Sequence, residues 1–159
     1  MKLSKNKRNK LYQEINSYSQ FGLIGETAIL SEFIRFGLQC YLPYGDLERC
    51  DMVVSFNGVL KKIQIKSVYG LVNGSIKADI TSKNDHQRYK YNSSDVDYFA
   101  IYSYDLGQCF LVPIEEVENM ATITLRIDPP LNNNSINIRW AKDYHLSKMI
   151  NKILTSMDK

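Results

Sequence analysis

In the run LKKIQIKSVYG, residues 60–70, Lys62, Gln64 and Lys66 alternate with Ile63 and Ile65. A period of two is the mark of a strand, and here one face of it carries an ammonium, an amide and an ammonium. Upstream stand CDMVVSF and then Asn57-Gly58. Asn-Gly between two β-rich runs predicts a hairpin with a type I′ turn, because both residues accept φ > 0. A two-residue turn sets Phe56 opposite Val59, and so Asp51 opposite Gln64. Facing side chains share one sheet face, with Cβ atoms about 4.5–5.5 Å apart. Lys66 points to that face one pleat further on, while Met52, Ile63 and Ile65 point to the other. A carboxylate, an amide oxygen and an ammonium on one face suit hydrolysis at a hard cation. Mg²⁺ takes oxygen ligands at about 2.0–2.1 Å, few of them from protein. Asp51, Gln64, the backbone carbonyl of Ile65 and waters would suffice. Lys66 could orient and help deprotonate an attacking water, or stabilise charge on a phosphate.

A second carboxylate comes from the run SQFGLIGETAILSEFIRFG, which reads as a helix capped at Ser19 and stopped at Gly37, weakened in its first turns by Gly22 and Gly25. Glu26 has Leu23, Ile29, Leu30 and Phe33 at helical spacings, which puts it on the apolar stripe; Glu32 belongs to the wet face. A carboxylate facing a core is costly unless it is paired or near a metal. The same residues also fit plainer roles. Glu26 can form a structural ion pair with Lys66 or reach out to water, and Asp51, Gln64 and Lys66 can line a solvated sheet face.

The remaining elements must hold these groups. CYLPY is a short extended piece, and SIKADITS, VDYFAIYSY, CFLVPI and TITLRI read as strands. KNDHQRYKYNSS is polar, basic and aromatic and reads as a loop or short irregular helix. PIEEVENM looks like a helical turn, and DPPLNNNS is a loop. Leu146, Met149, Ile150, Ile153, Leu154 and Met157 form an apolar stripe on a last helix, suited to the core or to an interface. The order is helix, β-rich middle, helix. It predicts an α+β domain with a central mixed or antiparallel sheet, a β-hairpin within it and helices flanking it.

The chain has 159 residues, enough for one domain with its own core. At 44% hydrophobic and 23% charged it has a soluble globular profile. Five of its 20 Lys and Arg lie in the first ten residues, which leaves 15 bases against 17 acids in the rest. Residues 1–16 read as a basic arm and 17–159 as a single domain. Such an arm suits a polyanion, whose counterions it would release, and equally suits a solvated terminus. No apolar h-region follows the arm, and no segment is long and apolar enough to span a membrane. Cys40, Cys50 and Cys109 lack metal-type spacing and read as reduced thiols in a cytoplasmic protein.

The series Glu26, Asp51, Gln64 and Lys66 resembles that of the PD-(D/E)XK nuclease superfamily: an acid on a helix, an Asp at the start of a hairpin, and an acid-x-Lys on its second strand. GETAILSEFIRFG, CDMVVSFNG, QIKS, DYFAIYS, LVPIEEV and IRWAKDY resemble, in order, the group I intron-encoded (homing) endonucleases of that superfamily. Together they span roughly residues 19–146. Two positions depart from the pattern. Cys50 stands where a proline usually precedes the Asp, and Gln64 replaces the usual acid, a variation this branch tolerates. The resemblance implies a restriction-endonuclease-like core and Mg²⁺-dependent cleavage of double-stranded DNA, with Mn²⁺ as a substitute, leaving 5′-phosphate and 3′-hydroxyl ends. It further implies that Asp51 binds metal directly and Gln64 directly or through water. Lys66 would position the water, and Glu26 would act through a water.

One domain of this size offers one active site, and a duplex has two strands, so a homodimer or a homotetramer is expected. Candidate phosphate contacts are Lys5, Lys7, Arg8 and Lys10 in the arm, Lys83, Arg88 and Lys90 interleaved with Tyr89 and Tyr91, and Arg126 and Arg139. Asn132, Asn133 and Asn134 could read base edges or simply form a loop. His86 and His145 read as surface residues. Two other functions fit the same core: a structure-specific nuclease resembling the Holliday junction resolvases, and a DNA-binding module whose catalytic site has decayed at Gln64.

Overall fold

The structure is a computed structural model that describes residues 18–45, 48–84, 87–129 and 136–158. The basic arm, His86 and the Asn132–Asn134 run lie outside the described residues.

Helix α1 (Tyr18–Arg35) leads into strand β1 (Gln39–Tyr41). Ser19 lies inside the helix and does not cap it. The stop is at Gly37, where φ is +73°. Gly37 donates to the Ile34 carbonyl and Leu38 to that of Phe33, which satisfies the last helical carbonyls as a Schellman motif does. Strands β2 (Met52–Phe56) and β3 (Val59–Val68) form the expected hairpin, with Asn57 and Gly58 both at positive φ. Its register runs from Phe56↔Val59 to Met52↔Ile63. Strands β7 (Tyr98–Ser103) and β8 (Gln108–Pro113) complete a five-stranded sheet of order β1-β2-β3-β7-β8. Only the β3–β7 pair is parallel, so the sheet is mixed. Asp97 fixes that pair: its carboxylate accepts from the Lys62 N–H at 2.8 Å and from the Lys61 ammonium at 3.0 Å.

Between β3 and β7 the chain departs from expectation. SIKADITS is split into β4 (Ser75–Asp79) and β5 (Thr81–Asn84). The segment read as a loop or irregular helix supplies β6 (Gln87–Lys90), antiparallel to β5. Its polar composition hides a true alternation, because Arg88 and Lys90 are exposed while Tyr89 and Tyr91 turn inward. Strand β9 (Thr122–Arg126) pairs with β4. A 3-10 turn at Ile114–Glu116 stands where a helical turn was expected.

The sheet has a core on each face. On one face α1 and α2 (Leu146–Met157) bury Ile29, Phe33, Met149 and Ile150 against Met52, Ile63 and Ile65. The α2 stripe therefore serves the core. On the other face β4 and β9 bury Ile76, Ala78, Ile123 and Leu125 against Phe99, Ile101 and Val112. Each of the larger side chains among these contributes about 1.5–3 kcal/mol when fully buried. Cys50 and Cys109 are buried free thiols, and burial pushes Cys109 up to about 12, leaving it unreactive. Among the described residues, no helix is long and apolar enough to cross a membrane.

Candidate active site

Pairing between β2 and β3 ends at Met52, one residue after Asp51. The Asp51 N–H still reaches back to the Ile63 carbonyl at 2.9 Å. Its carboxylate then replaces the missing strand: Oδ2 accepts from the Ile65 N–H at 2.6 Å. A strand residue directs its N–H and C=O to the same side, so the Ile65 carbonyl opens toward the space beside Asp51. The Gln64 side chain lies close enough to the Asp51 carboxylate to lower its pKa. Alternation carries Gln64 and Lys66 to the face away from the helices, while Ile63 and Ile65 pack on the helix side. The three polar groups thus gather where the hairpin register expects them, although Asp51 is held by its carboxylate and not by ladder pairing.

Lys66 lies half-buried, its ammonium 5.9 Å from the centre of the Tyr91 ring. Burial lowers its pKa, against the opposing charges of Asp51 and Asp79. Burial likewise raises the pKa of Asp51, and the Ile65 N–H, the Lys66 charge and the Gln64 side chain only partly counter it. The carboxylate is therefore short of positive charge even with the lysine beside it.

Glu26 is placed differently from expectation. The row of α1 that meets the sheet is Gly25, Ile29 and Phe33. Glu26, one position round the helix, is exposed, as is Leu23. Glu32, expected on the wet face, is half-buried and pairs with Arg35 at 2.9 Å. The reason is Gly25. A Cβ there would stand 1.9 Å from Ser67 Oγ on β3, so the glycine lets α1 settle directly onto the strand. Glu26 then falls at the rim of the helix–sheet contact. Its pKa is raised, first by partial burial and then by the Asp51 charge, which puts the two carboxylates within electrostatic reach.

The donors fit a hard cation in kind: one desolvated carboxylate, an amide and an open carbonyl, with a second carboxylate at the rim. They are sparse, for among the described residues no three His, Cys, Asp or Glu cluster as a metal-binding group. Gln64, where an acid is usual, accounts for part of that.

Residues that sequence reasoning missed complete the surroundings. Asp79 ends β4 and is fixed by Thr81, whose N–H and hydroxyl donate to it at 2.9 and 2.6 Å. These bonds hold its pKa down, and its charge reaches Lys66. The Asp-x-Thr spacing is the signal that could have marked this turn. Of the candidate phosphate contacts, Arg88 and Lys90 are exposed on β6, and Arg88 lies 3.7 Å from Asp79. Lys83 lies opposite Arg88 in β5. Arg126 donates to the carbonyls of Asp128 and Pro129 and to the Ser75 hydroxyl. Arg139 donates to the Glu116 carbonyl and pairs with its carboxylate. These two guanidiniums brace the chain's own loops.

A family model described as PD-(D/E)XK endonuclease matches residues 17–147. The structure is similar to that of I-Ssp6803I, a bacterial homing endonuclease, with a TM-score of 0.71 and 21% sequence identity, covering 90% of this chain and 97% of that one. No curated protein matches.

Proposed function

The chain belongs to the PD-(D/E)XK endonuclease family, and from that premise we propose that this nuclease is a site-specific, homing-type endonuclease that hydrolyses double-stranded DNA with Mg²⁺. The observation that carries the reading is the convergence of Asp51, Gln64 and Lys66 where β2 releases the edge of β3, with Glu26 at the rim. The similarity to a homing endonuclease over nearly the whole chain supports the finer type.

Asp51, the Gln64 amide oxygen and the Ile65 carbonyl would hold the divalent ion. Bound there, it would supply positive charge against the scissile phosphate and make water more acidic. The Ile65 N–H holds the Asp51 carboxylate in one orientation, so little reorganisation is needed. Lys66, half-buried and with its pKa lowered by that burial, would hold the attacking water and help take up its proton. Glu26 would orient a further water from the rim. The chemistry is positioning and charge stabilisation, with no covalent step on the protein. Two copies would present two sites to the two strands, as a homodimer or a homotetramer. Lys90 and Arg88, with the basic arm, would meet phosphates.

The test is selection of cleaved sites from random duplex DNA with Mg²⁺, using the wild type and Lys66→Ala. A recurrent site cut only by the wild type is the expected result. Cutting of cruciform DNA regardless of sequence would favour a junction nuclease. Binding without any nicking would mean that the site has decayed.

A further inference from the structure

Lys66 faces a wall that the proposed reaction does not use. Tyr91 follows β6 and is 4% exposed, and its ring faces the Lys66 ammonium. That ring is fixed on several sides. Phe99 on β7 meets it edge-on at 5.3 Å, Tyr89 meets it at 5.9 Å, and the Ser82 side chain on β5 lies near its phenol. Tyr89 is held in turn. The guanidinium carbon of Arg49 lies 3.6 Å from the centre of its ring. Arg49 also pairs with one oxygen of Asp95 at 3.3 Å, and the Tyr89 hydroxyl donates to the other at 2.8 Å. The Asn92 N–H donates to that same oxygen at 3.0 Å. Arg49 stands two positions before Asp51. A closed path therefore runs from the chain that delivers the acid, through the hairpin, to the lysine.

We propose that Arg49 clamps the β5–β6 hairpin onto the site through Tyr89 and Asp95, and that the clamp holds the Tyr91 ring against Lys66, so that Arg49 and Tyr91 are positioning residues for the lysine. This rests on the nuclease reading above. An ammonium is drawn to a ring face, which gives Lys66 a preferred place without neutralising it. Arg suits the clamp because its planar fork can stack on a ring and pair with a carboxylate at once, which Lys cannot do. The outer side of β6 carries Arg88 and Lys90, so the candidate phosphate contacts and the wall beside Lys66 belong to one short segment.

The experiment compares wild type, Arg49→Ala, Arg49→Lys, Tyr91→Phe and Tyr91→Leu as full chains on the selected duplex. It reads single-turnover cleavage, DNA affinity without metal, and the Lys66 ε-methylene proton resonance, which the Tyr91 ring shifts. Arg49→Ala is expected to slow cleavage roughly 10- to 100-fold, as misplacement of a reacting group does. Its DNA affinity should stay within about twofold, and its Lys66 resonance should move toward that of a free lysine. Arg49→Lys should fall between it and the wild type. Tyr91→Phe should keep both rate and resonance; Tyr91→Leu should lose both. Arg49 is partly exposed, so its variants keep the test open should Tyr91→Leu fail to fold. Unchanged cleavage and resonance in Arg49→Ala, or a rate loss matched by an equal loss of affinity, would overturn the proposal. A wild type that cuts nothing would remove the nuclease reading, while the resonance in Arg49→Ala would still decide the clamp.

Discussion

Asp51 and Lys66 each occupy surroundings that disfavour their own charge, because burial outweighs their mutual attraction. A carboxyl whose pKa rises on folding stabilises most below its unfolded pKa, and that contribution is lost as pH rises through the folded value. Asp51→Asn, which stays neutral, should thus match or exceed the wild type in metal-free thermal stability at neutral pH. The difference should vanish as pH falls through the carboxylate range, near pH 4. Calorimetry across that range checks the sign. Added Mg²⁺ should raise the wild-type midpoint and leave Asp51→Asn where it was, since a ligand stabilises only the form it binds. For the reaction, Asp51→Ala and Lys66→Ala are each expected to lower cleavage by roughly 10²-fold or more, with DNA binding within a few-fold. Equal losses of binding and cutting would count against catalytic roles. Gln64→Glu restores the acid usual at that position and should retain cleavage while binding Mg²⁺ more tightly, which titration calorimetry measures. These residues were legible early because a strand's alternation assigns faces without knowledge of the rest of the fold. The details that tune them were not. The Ile65 N–H on Asp51 and the ring on Lys66 follow from where β2 stops and where another hairpin lands.

At the scale of elements, the contact between α1 and β3 rests on one missing methyl group. Gly25→Ala puts a Cβ 1.9 Å from Ser67 Oγ, so the helix must lift or the serine must turn. Overpacking of this kind costs roughly 1–3 kcal/mol. Ser67→Ala in the same chain should recover part of it, because the nearest remaining contact would be with the Ser67 Cβ at 3.2 Å. Chemical denaturation of the single and double variants tests this, and equal stability of all three would refute the close approach. Read as a stripe, α1 gave the wrong row, since glycine adds nothing to an apolar pattern while marking the point of closest packing. The β2–β3 hairpin was readable because its signal is local: two residues at positive φ between two β-branched runs. The β5–β6 hairpin was not, although Arg88, Tyr89, Lys90 and Tyr91 alternate. One of its four-residue strands is held through Tyr89 by a residue distant in sequence, Arg49.

For the whole molecule, the distribution of charge and the number of copies decide how a small domain handles a duplex. The arm carries a quarter of the chain's Lys and Arg. Removing residues 1–10 should weaken DNA binding and flatten its dependence on salt, because fewer counterions are released. An unchanged slope in a salt titration would exclude the arm from the interface. A chain with one site is expected to cut both strands only as an assembly. Sedimentation of the active species should therefore show two or four copies, and a monomer that makes double-strand breaks in one encounter would contradict this. Arg126 and Arg139 illustrate why charge alone decides little at this scale: sequence offers them as candidate phosphate contacts, and in the fold both donate to the chain's own carbonyls.

By itself the sequence determined what short-range physics controls. That is the register of the hairpin at residues 52–63, the gathering of Asp51, Gln64 and Lys66 beside it, the order of most strands, and the apolar side of the last helix. Backbone sterics and a period of two or 3.6 suffice for those. Tertiary structure alone decided that Glu26 lies at the rim of a helix–sheet contact, that Asp79 and Tyr91 border Lys66, and that Arg49 locks the wall beside it. Each of these depends on which distant segments share a surface, and that is set by how two cores close on opposite faces of one sheet.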